Sequence, residues 1–239
     1  MHYNPRTIAL LSELHHPPLS PDPGPIQRVH NQMYQAGNPA YSSFAVTPAG
    51  AVLSNPVAVP GAASYAAFLP DRFQFREELT SLTVEGFARQ VREVSEQVAR
   101  IRGIQVFTSQ SVTVRTLVNT RHFKDSRAYL KEGMFGFSVE TESFGREPEL
   151  LGIRMVFPPG QARQCAYSLR IESCAGDPRS LFIENQASFG PLLVENSTES
   201  VETNVMDAYE FVVQRTLHFI SCFDLPLEQE GASEDEEGF

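Results

Sequence analysis

The clearest periodic pattern in the chain predicts one long helix, over residues 84–102. Its apolar residues recur at alternating intervals of three and four, which places them on one face of an α-helix. They are Val84, Phe87, Val91, Val94, Val98 and Ile101. Thr83 can cap the first turn, and Gly103 can end the last one. We therefore expect this helix to bury its apolar stripe against a sheet.

Alternating apolar and polar residues predict strands on both sides of this helix. In the first half of the chain, the predicted strands cover residues 7–15, 41–47, 51–54, 64–69 and 72–76. In the second half, they cover residues 112–118, 136–142, 151–157, 165–173 and 181–184. Turn-forming Pro and Gly residues between the later strands favour antiparallel pairing.

Three further helices are predicted from shorter signals. Residues 26–36 carry apolar side chains at helical spacing after a proline-rich connection. Asp125 can cap a short helix that ends at Gly133. Asn204 is predicted to cap a final helix, which carries an apolar stripe that includes Val205 and Val212.

These elements predict an α+β fold, in which an antiparallel sheet carries two main helices packed on it. Each half of the chain follows the order strand, helix, strands, helix. This order suggests two related halves, residues 1–103 and residues 104–224, with the second packed on the first. No residue-level repeat links the two halves, so a chance parallel stays open as the alternative. Residues 225–239 are predicted to be a disordered acidic tail.

Composition is that of a globular protein with segregated charge. The chain has 239 residues, of which 41% are hydrophobic, and it contains no apolar run long enough to cross a bilayer. Its first residues lack the pattern of a secretory leader, so we expect a cytoplasmic protein. The net charge is −10, but the last 16 residues hold seven acidic groups and no basic ones. Residues 100–131 hold seven Lys and Arg side chains against Asp125 alone.

This basic segment is the first candidate binding site. Arg and Lys side chains suit phosphate, carboxylate or nucleic-acid ligands, and a strand would present several of them on one face. The candidate residues are Arg115, Asn119, Arg121, Lys124 and Arg127. The alternative is that these cations pair with acids such as Glu140 and Glu142 on a neighbouring strand.

The end of the tail is the second candidate. Its acidic residues Glu236 and Glu237 stand shortly before the terminal Phe239. This arrangement resembles the tip of bacterial single-stranded-DNA-binding proteins, which docks in partner pockets. The alternative is a tail that only increases solubility.

Patterns for catalysis and for cofactors are not found in the sequence. It contains no nucleophile-elbow pattern, no paired cysteines and no phosphate-binding glycine loop. Glu13 and His15 alternate on one strand face and could hold a metal together with His30 or His122, but no spacing fixes a third ligand. We therefore predict no catalytic residue, no metal site and no cofactor.

Three short motifs occur in order along the chain. They are the Asn4-Pro5 opening before a strand that contains Glu13, Pro70-Asp71-Arg72-Phe73 before the main helix, and Arg115-Thr116-Leu117-Val118-Asn119. These motifs resemble those of a family of sporadically distributed bacterial proteins of about 250 residues and unknown function. The chain lacks the tryptophan that the family has near the start of that helix. The resemblance implies an architecture and a bacterial source, but no activity.

Taken together, these features predict a non-enzymatic cytosolic binding or assembly module. Its expected partner is a protein or a second copy of the chain, with no membrane involved. One alternative is a nucleic-acid or phosphate-ligand binder that uses residues 100–131. The other is an enzyme of a type that the motifs do not reveal.

Overall fold

The computed structural model describes residues 3–37, 39–136, 145–146, 148–160, 164–195 and 198–226. These residues form an α+β fold, in which a nine-stranded antiparallel sheet is packed against helices. The predicted fold class is therefore confirmed. The predicted strand 136–142 lies almost wholly outside the described residues, and so does most of the predicted tail.

The strands vary in length from two to eleven residues. In chain order they are β1 Arg6–His15, β2 Ser43–Thr47, β3 Gly50–Ser54, β4 Ala63–Phe68, β5 Arg72–Glu78, β6 Val106–Phe107, β7 Ser109–Asn119, β8 Gly152–Phe157, β9 Cys165–Ser173, β10 Ser180–Phe189 and β11 Leu192–Leu193. The large sheet has the order β2-β3-β4-β5-β1-β7-β10-β9-β8, and β6 pairs with β11 separately. The strand β1 therefore lies at the middle of the sheet, between β5 and β7.

The helices include two stretches of π-helix. The chain forms α1 Gly24–Gln35, α2 Val84–Arg102, α3 Ser126–Ala128 followed by the π-turn Tyr129–Met134, and α4 Thr198–Glu210 followed by the π-segment Phe211–Thr216 and α5 Leu217–Ser221. The helices α2 and α4 pack against each other, and α1 packs against α2. Among the described residues, none of the helices combines the length and the apolar character needed to span a bilayer.

Both ends of α2 are formed as the sequence predicts. The Thr83 hydroxyl accepts a hydrogen bond from the Gly86 backbone N–H at 3.1 Å. Gly103 has a φ of 68°, a left-handed conformation in which glycine lacks the steric cost of a side chain. Most of the predicted stripe is buried, including Phe87, Val91 and Val94.

The final helix does not start where the sequence predicts. It begins at Thr198, so Asn204 lies inside α4 and the prediction of Asn204 as its N-cap is wrong. The Asn204 side-chain amide instead donates to Gln110 Oε1 at 2.8 Å. Gln110 is fully buried and its own amide donates to Ser12 and to the Val201 carbonyl. The asparagine is thus used to satisfy a polar group in the core.

Outward from the β1–β7 pair, the sheet continues with β5, β4 and β3 on one side and with β10, β9 and β8 on the other. This order does not test the predicted division into residues 1–103 and 104–224, which stays a prediction.

The two faces of the sheet differ in burial. In β5, Phe73 and Phe75 are fully buried on the helix-covered face, whereas Arg72, Gln74 and Arg76 alternate with them and are partly exposed. This alternation continues for two more residues, and it assigns Glu77 to the buried face. A carboxyl at a core position of a strand is unusual, because its burial costs free energy unless neighbouring groups compensate for the lost water.

Candidate functional site

The basic candidate residues are engaged with other parts of the chain. Arg115 lies on the uncovered face of the sheet, where its Nε donates to Glu184 Oε2 at 2.7 Å. Arg170 of β9 contacts the same Glu184 at 3.3 Å. The acid Glu184 on β10 thus lies between two basic residues, Arg115 on β7 and Arg170 on β9, and pairs with both. Glu140 and Glu142, the acids suggested from the sequence, lie outside the described residues.

The other four candidates of the basic segment do not join Arg115 in one cluster of contacts. Asn119 accepts a hydrogen bond from the Ser180 hydroxyl at 2.6 Å. The Arg121 guanidinium lies 5.0 Å from the centre of the Tyr3 ring. Arg127 donates to the Pro148 carbonyl, and Lys124 is exposed. A binding role for these five residues stays a prediction, as does the docking tip with Glu236, Glu237 and Phe239, which lies outside the described residues.

The Glu13 and His15 side chains lie 3.7 Å apart. Glu13 also accepts a hydrogen bond from Gln74 at 2.7 Å. In the part of the chain that the structure describes, no three His, Cys, Asp or Glu side chains come together in a way that could hold a metal ion.

The most distinctive polar site surrounds Glu77, which the sequence analysis does not single out. Glu77 is 4% exposed and lines a cavity of about 810 Å³, which we name the Glu77 pocket. This volume falls in the range of small-molecule sites. The polar residues that line the pocket include Asn55, Ser64, Glu77, Thr80 and Gln90. The apolar ones include Pro56, Val57, Val59, Leu79 and Leu82.

Four segments of the chain supply the lining, and the first contributes Ala40 alone. The loop between β3 and β4 gives the residues from Asn55 to Ala62, and β4 and β5 give Ser64 and Glu77. The connection from β5 to α2 gives Leu79 to Thr83, and the second turn of α2 gives Gln90. The strands are paired in register, with Ser64 opposite Glu77, so the floor of the pocket rests on the rigid sheet.

A chain of hydrogen bonds orients the Glu77 carboxyl. The Asn55 side-chain amide donates to Ser64 Oγ at 3.2 Å, and the Ser64 hydroxyl donates to Glu77 Oε1 at 2.7 Å. Asn55 is itself held, because its amide also donates to the Ala40 carbonyl and its Oδ1 accepts from the Ser42 backbone N–H. The carboxyl therefore presents one defined geometry to the pocket.

Two buried polar groups beside Glu77 lack partners. The Tyr41 hydroxyl belongs to a fully buried side chain and has no hydrogen-bond partner among the described residues. The Gln90 amide nitrogen is also buried and makes no hydrogen bond of normal geometry there, but the Gln90 side chain interacts with both Tyr41 and Glu77 and acts to lower the pKa of both. Buried polar groups without partners are costly, so a ligand that pairs with them gains from their position here.

Burial dominates the electrostatics of Glu77. It raises the pKa of the carboxyl, although neighbouring Ser64, Thr80 and Gln90 act in the opposite direction. Burial likewise raises the pKa of Tyr41. Among the described residues that line the pocket, Glu77 is the only charged one. Perturbed titratable groups in a cleft are a recognised mark of binding and catalytic sites.

The rim of the pocket is apolar and strained. Val57, Val59 and Leu79 are 44%, 52% and 45% exposed, and all three line the same pocket. Leu79 also has a φ of 51°, a left-handed conformation that costs a side chain other than glycine about 1–2 kcal/mol. Such strain is typical of functional positions.

Replacing Glu77 with glutamine is expected to raise the midpoint of thermal unfolding by ~2–4 °C at pH 7.5. Because burial raises the pKa of Glu77, the folded protein holds this proton more tightly than the unfolded chain does. The carboxylate therefore lowers stability at neutral pH, and this cost vanishes as the pH falls below the unfolded-state pKa of about 4.3. Thermal melts at pH 7.5 and pH 4 measure the difference, which should nearly disappear at pH 4.

Glu78→Gln is the matched control, since Glu78 is the next residue of β5 and forms an ion pair with Arg76 on the other face. This control should not stabilise the protein at either pH. If the E77Q protein unfolds at a lower temperature than the unmodified chain at pH 7.5, the conclusion that the Glu77 carboxylate lowers stability is wrong.

A second cleft of about 550 Å³ lies between β8, β9 and the C-terminal helices. Its walls include the Tyr167 and Phe211 rings, which stack with centroids 4.1 Å apart, and Phe157, which packs edge-on against Phe211 at 5.5 Å. Its charged residues are Asp207, which is half-buried, and Glu210 and Arg215, which are exposed. The cleft therefore offers an apolar surface but no buried charged group, and we rank it below the Glu77 pocket as a specific site.

The comparisons with known proteins do not identify a family for this chain. No family model matches the chain, and no curated protein matches it, so the resemblance to the family of sporadically distributed proteins stays a prediction. Among solved structures, the chain is similar to the regulatory subunit of aspartate kinase from Thermus flavus, with 13% sequence identity over 88% of this chain and 98% of that chain, and a TM-score of 0.22. We take nothing about function from a similarity this low.

Proposed function

We propose that the protein is a non-enzymatic cytosolic module that binds a small molecule in the Glu77 pocket. The observation that carries this proposal is the buried Glu77 carboxyl, held by Ser64 at 2.7 Å, at the floor of a cavity of about 810 Å³ with an exposed apolar rim. Specific small-molecule sites combine a few oriented polar groups with an apolar wall in this way.

Binding is favoured over catalysis by the composition of the pocket. His is the commonest general acid or base, and Cys and Lys are common nucleophiles. Among the described residues that line the pocket there is no His, Cys or Lys. Glu77 and its hydrogen-bonded neighbours can recognise and orient a ligand without such a group.

The polyanion-binding alternative has weaker support. The Arg115 and Arg170 guanidinium groups both contact the Glu184 carboxylate, so a phosphate would have to compete with this acid. Cross-strand ion pairs of this kind are the usual fate of charged residues on a solvated sheet face.

A fragment screen by two-dimensional NMR on the isotope-labelled full chain tests the proposal. We expect several fragments to shift the resonances of Ser64, Thr80 and Gln90 together, since these three residues line the pocket. Ala62→Phe should abolish these shifts, because Ala62 also lines the pocket and a phenyl ring would fill it. Ala45→Phe is the matched control, since Ala45 is exposed on β2 and outside the pocket.

The screen can also reject the proposal. Fragments that shift Tyr167 and Phe211 instead would move the binding site to the cleft beneath β8. A screen without fragments at the Glu77 pocket, or hits that survive in the Ala62→Phe protein, would overturn the proposal.

A further inference from the structure

We propose that the ligand of the Glu77 pocket is a small organic cation, an ammonium group on a short apolar body, and that the ammonium forms an ion pair with the Glu77 carboxylate. This inference rests on the function proposed above and names the class of ligand. It follows from the charge, the hydrogen bonds and the shape of the described residues.

The charge of the pocket is one-sided. Glu77 is the only charged residue among the described residues that line it, and Glu77 appears in none of the ion pairs between described residues. A buried carboxylate without a cation is unfavourable, and a positively charged ligand removes that penalty. An anionic ligand would increase it.

The hydrogen-bonding capacity of the floor leaves room for such a group. A carboxylate has about four acceptor positions. The Ser64 hydroxyl uses one of them at Oε1, and the Thr80 and Gln90 side chains also interact with the carboxyl, so at least one position is left for a ligand. An ammonium group brings three donors and no acceptor. The hydroxyl of Thr80 and the side-chain oxygen of Gln90, both of which line the pocket, are further acceptor groups that it can reach.

The rim selects for an apolar body. Val57, Val59 and Leu79 are exposed around the cavity, and Pro56 and Leu82 complete an apolar wall. Covering this wall removes apolar surface from water at about 25 cal/mol per Å². A ligand with a charged head and a short hydrocarbon tail matches both ends of the pocket.

Three four-carbon probes separate the charge from the apolar contribution: n-butylammonium, 1-butanol and butyrate. Each is titrated into the labelled full chain at pH 7.5, and the shifts of Ser64, Thr80 and Gln90 give the dissociation constant. We expect n-butylammonium to bind at least ~10-fold more tightly than 1-butanol, since a tenfold ratio needs only a modest difference in binding energy. Butyrate should not bind measurably.

Variants identify the groups responsible. Glu77→Gln should weaken n-butylammonium binding at least ~10-fold and leave 1-butanol binding unchanged. Glu78→Gln is the control and should change neither, because Glu78 lies on the opposite face of β5. Leu79→Gly should weaken both probes, because it removes part of the apolar rim at a position whose φ of 51° suits glycine.

The outcomes distinguish this inference from the function on which it rests. Two results would contradict the inference that the ligand is a cation: 1-butanol or butyrate binding as tightly as n-butylammonium, or the Glu77→Gln protein keeping its full affinity for n-butylammonium. In both cases the pocket would remain a binding site. If fragments bind the pocket but none of the three probes does, the inferred class of ligand is again wrong. If no fragment and no probe binds there, both proposals fail.

Discussion

The variant Asp224→Ala is expected to lower the midpoint of thermal unfolding by ~6–12 °C, which corresponds to a loss of about 3 kcal/mol for a chain of this size. Asp224 follows the last helix and is 1% exposed. Its carboxylate accepts hydrogen bonds from the Tyr3 hydroxyl at 2.7 Å and from the backbone N–H groups of Arg121 and His122 at 2.8 and 3.0 Å. One side chain thus links both ends of the described chain to the turn after β7, and its removal takes the acceptor from three partly buried hydrogen bonds at once.

The effect should depend on pH with a definite sign. Burial raises the pKa of Asp224, but the hydrogen bonds from Tyr3, His122 and Arg121 outweigh burial, so the pKa lies below its usual value. The stabilisation is therefore complete above the unfolded-state pKa of about 3.9, and it is lost as the pH falls through the lower folded-state value. Urea unfolding of both proteins at pH 7 and near pH 3 should show a large difference at pH 7 and a smaller one near pH 3.

Asp71→Ala provides the control, because Asp71 is exposed and its contact with Arg72 is 3.4 Å long. Its expected effect on the free energy of unfolding is below about 1 kcal/mol. Equal stability of the Asp224→Ala and Asp71→Ala proteins would contradict the conclusion that the hydrogen bonds of Asp224 stabilise the fold.

Val94→Asp is expected to prevent the recovery of soluble protein. Val94 is fully buried in the stripe of α2, where a carboxylate would have no charged partner, and such substitutions cost about 4 kcal/mol or more. The soluble fraction after expression, followed by circular dichroism of any recovered protein, measures the effect.

Glu93→Ala is the matched control one residue away. The Glu93 side chain is 50% exposed and contacts Arg92 at 3.5 Å. Its replacement should change the free energy of unfolding by less than about 0.5 kcal/mol. Equal solubility of both variants would mean that the stripe on α2 is not the core-facing side of that helix.

Local signals in the sequence predict local structure well in this chain. The α2 helix follows from its apolar spacing and its end residues, because a long amphipathic pattern has few alternative structures. The start of α4 is missed because Asn204 has the chemistry of a capping residue but serves a buried glutamine instead. The order of the strands could not be predicted, since hydrophobic alternation contains no information on which strands are neighbours.

The candidate site was missed for an identifiable reason. The predicted strand 72–76 ends one residue before Glu77, whereas β5 continues to Glu78. Extending the alternation of Phe73 and Phe75 by two residues assigns the Glu77 carboxyl to the core face of β5. A carboxyl at a core position is the one local signal of the site in the sequence. Its partners Asn55 and Ser64 come from other segments, and only tertiary structure reveals that they meet Glu77. The basic residues on the open sheet face are visible in the sequence. Their acidic partner Glu184 is not, because it is far from Arg115 along the chain and meets it only in the folded sheet.

The central position of β1 has a consequence for the order in which the protein folds during synthesis. As the chain leaves the ribosome, β1 can pair with β5 on one side once residue 78 is available. Its other edge pairs with β7, which is complete only about 40 residues later, a delay of roughly 2–8 s at ordinary translation rates. During that interval the nascent chain exposes an unpaired apolar strand edge, the kind of surface on which neighbouring nascent chains aggregate and which chaperones protect.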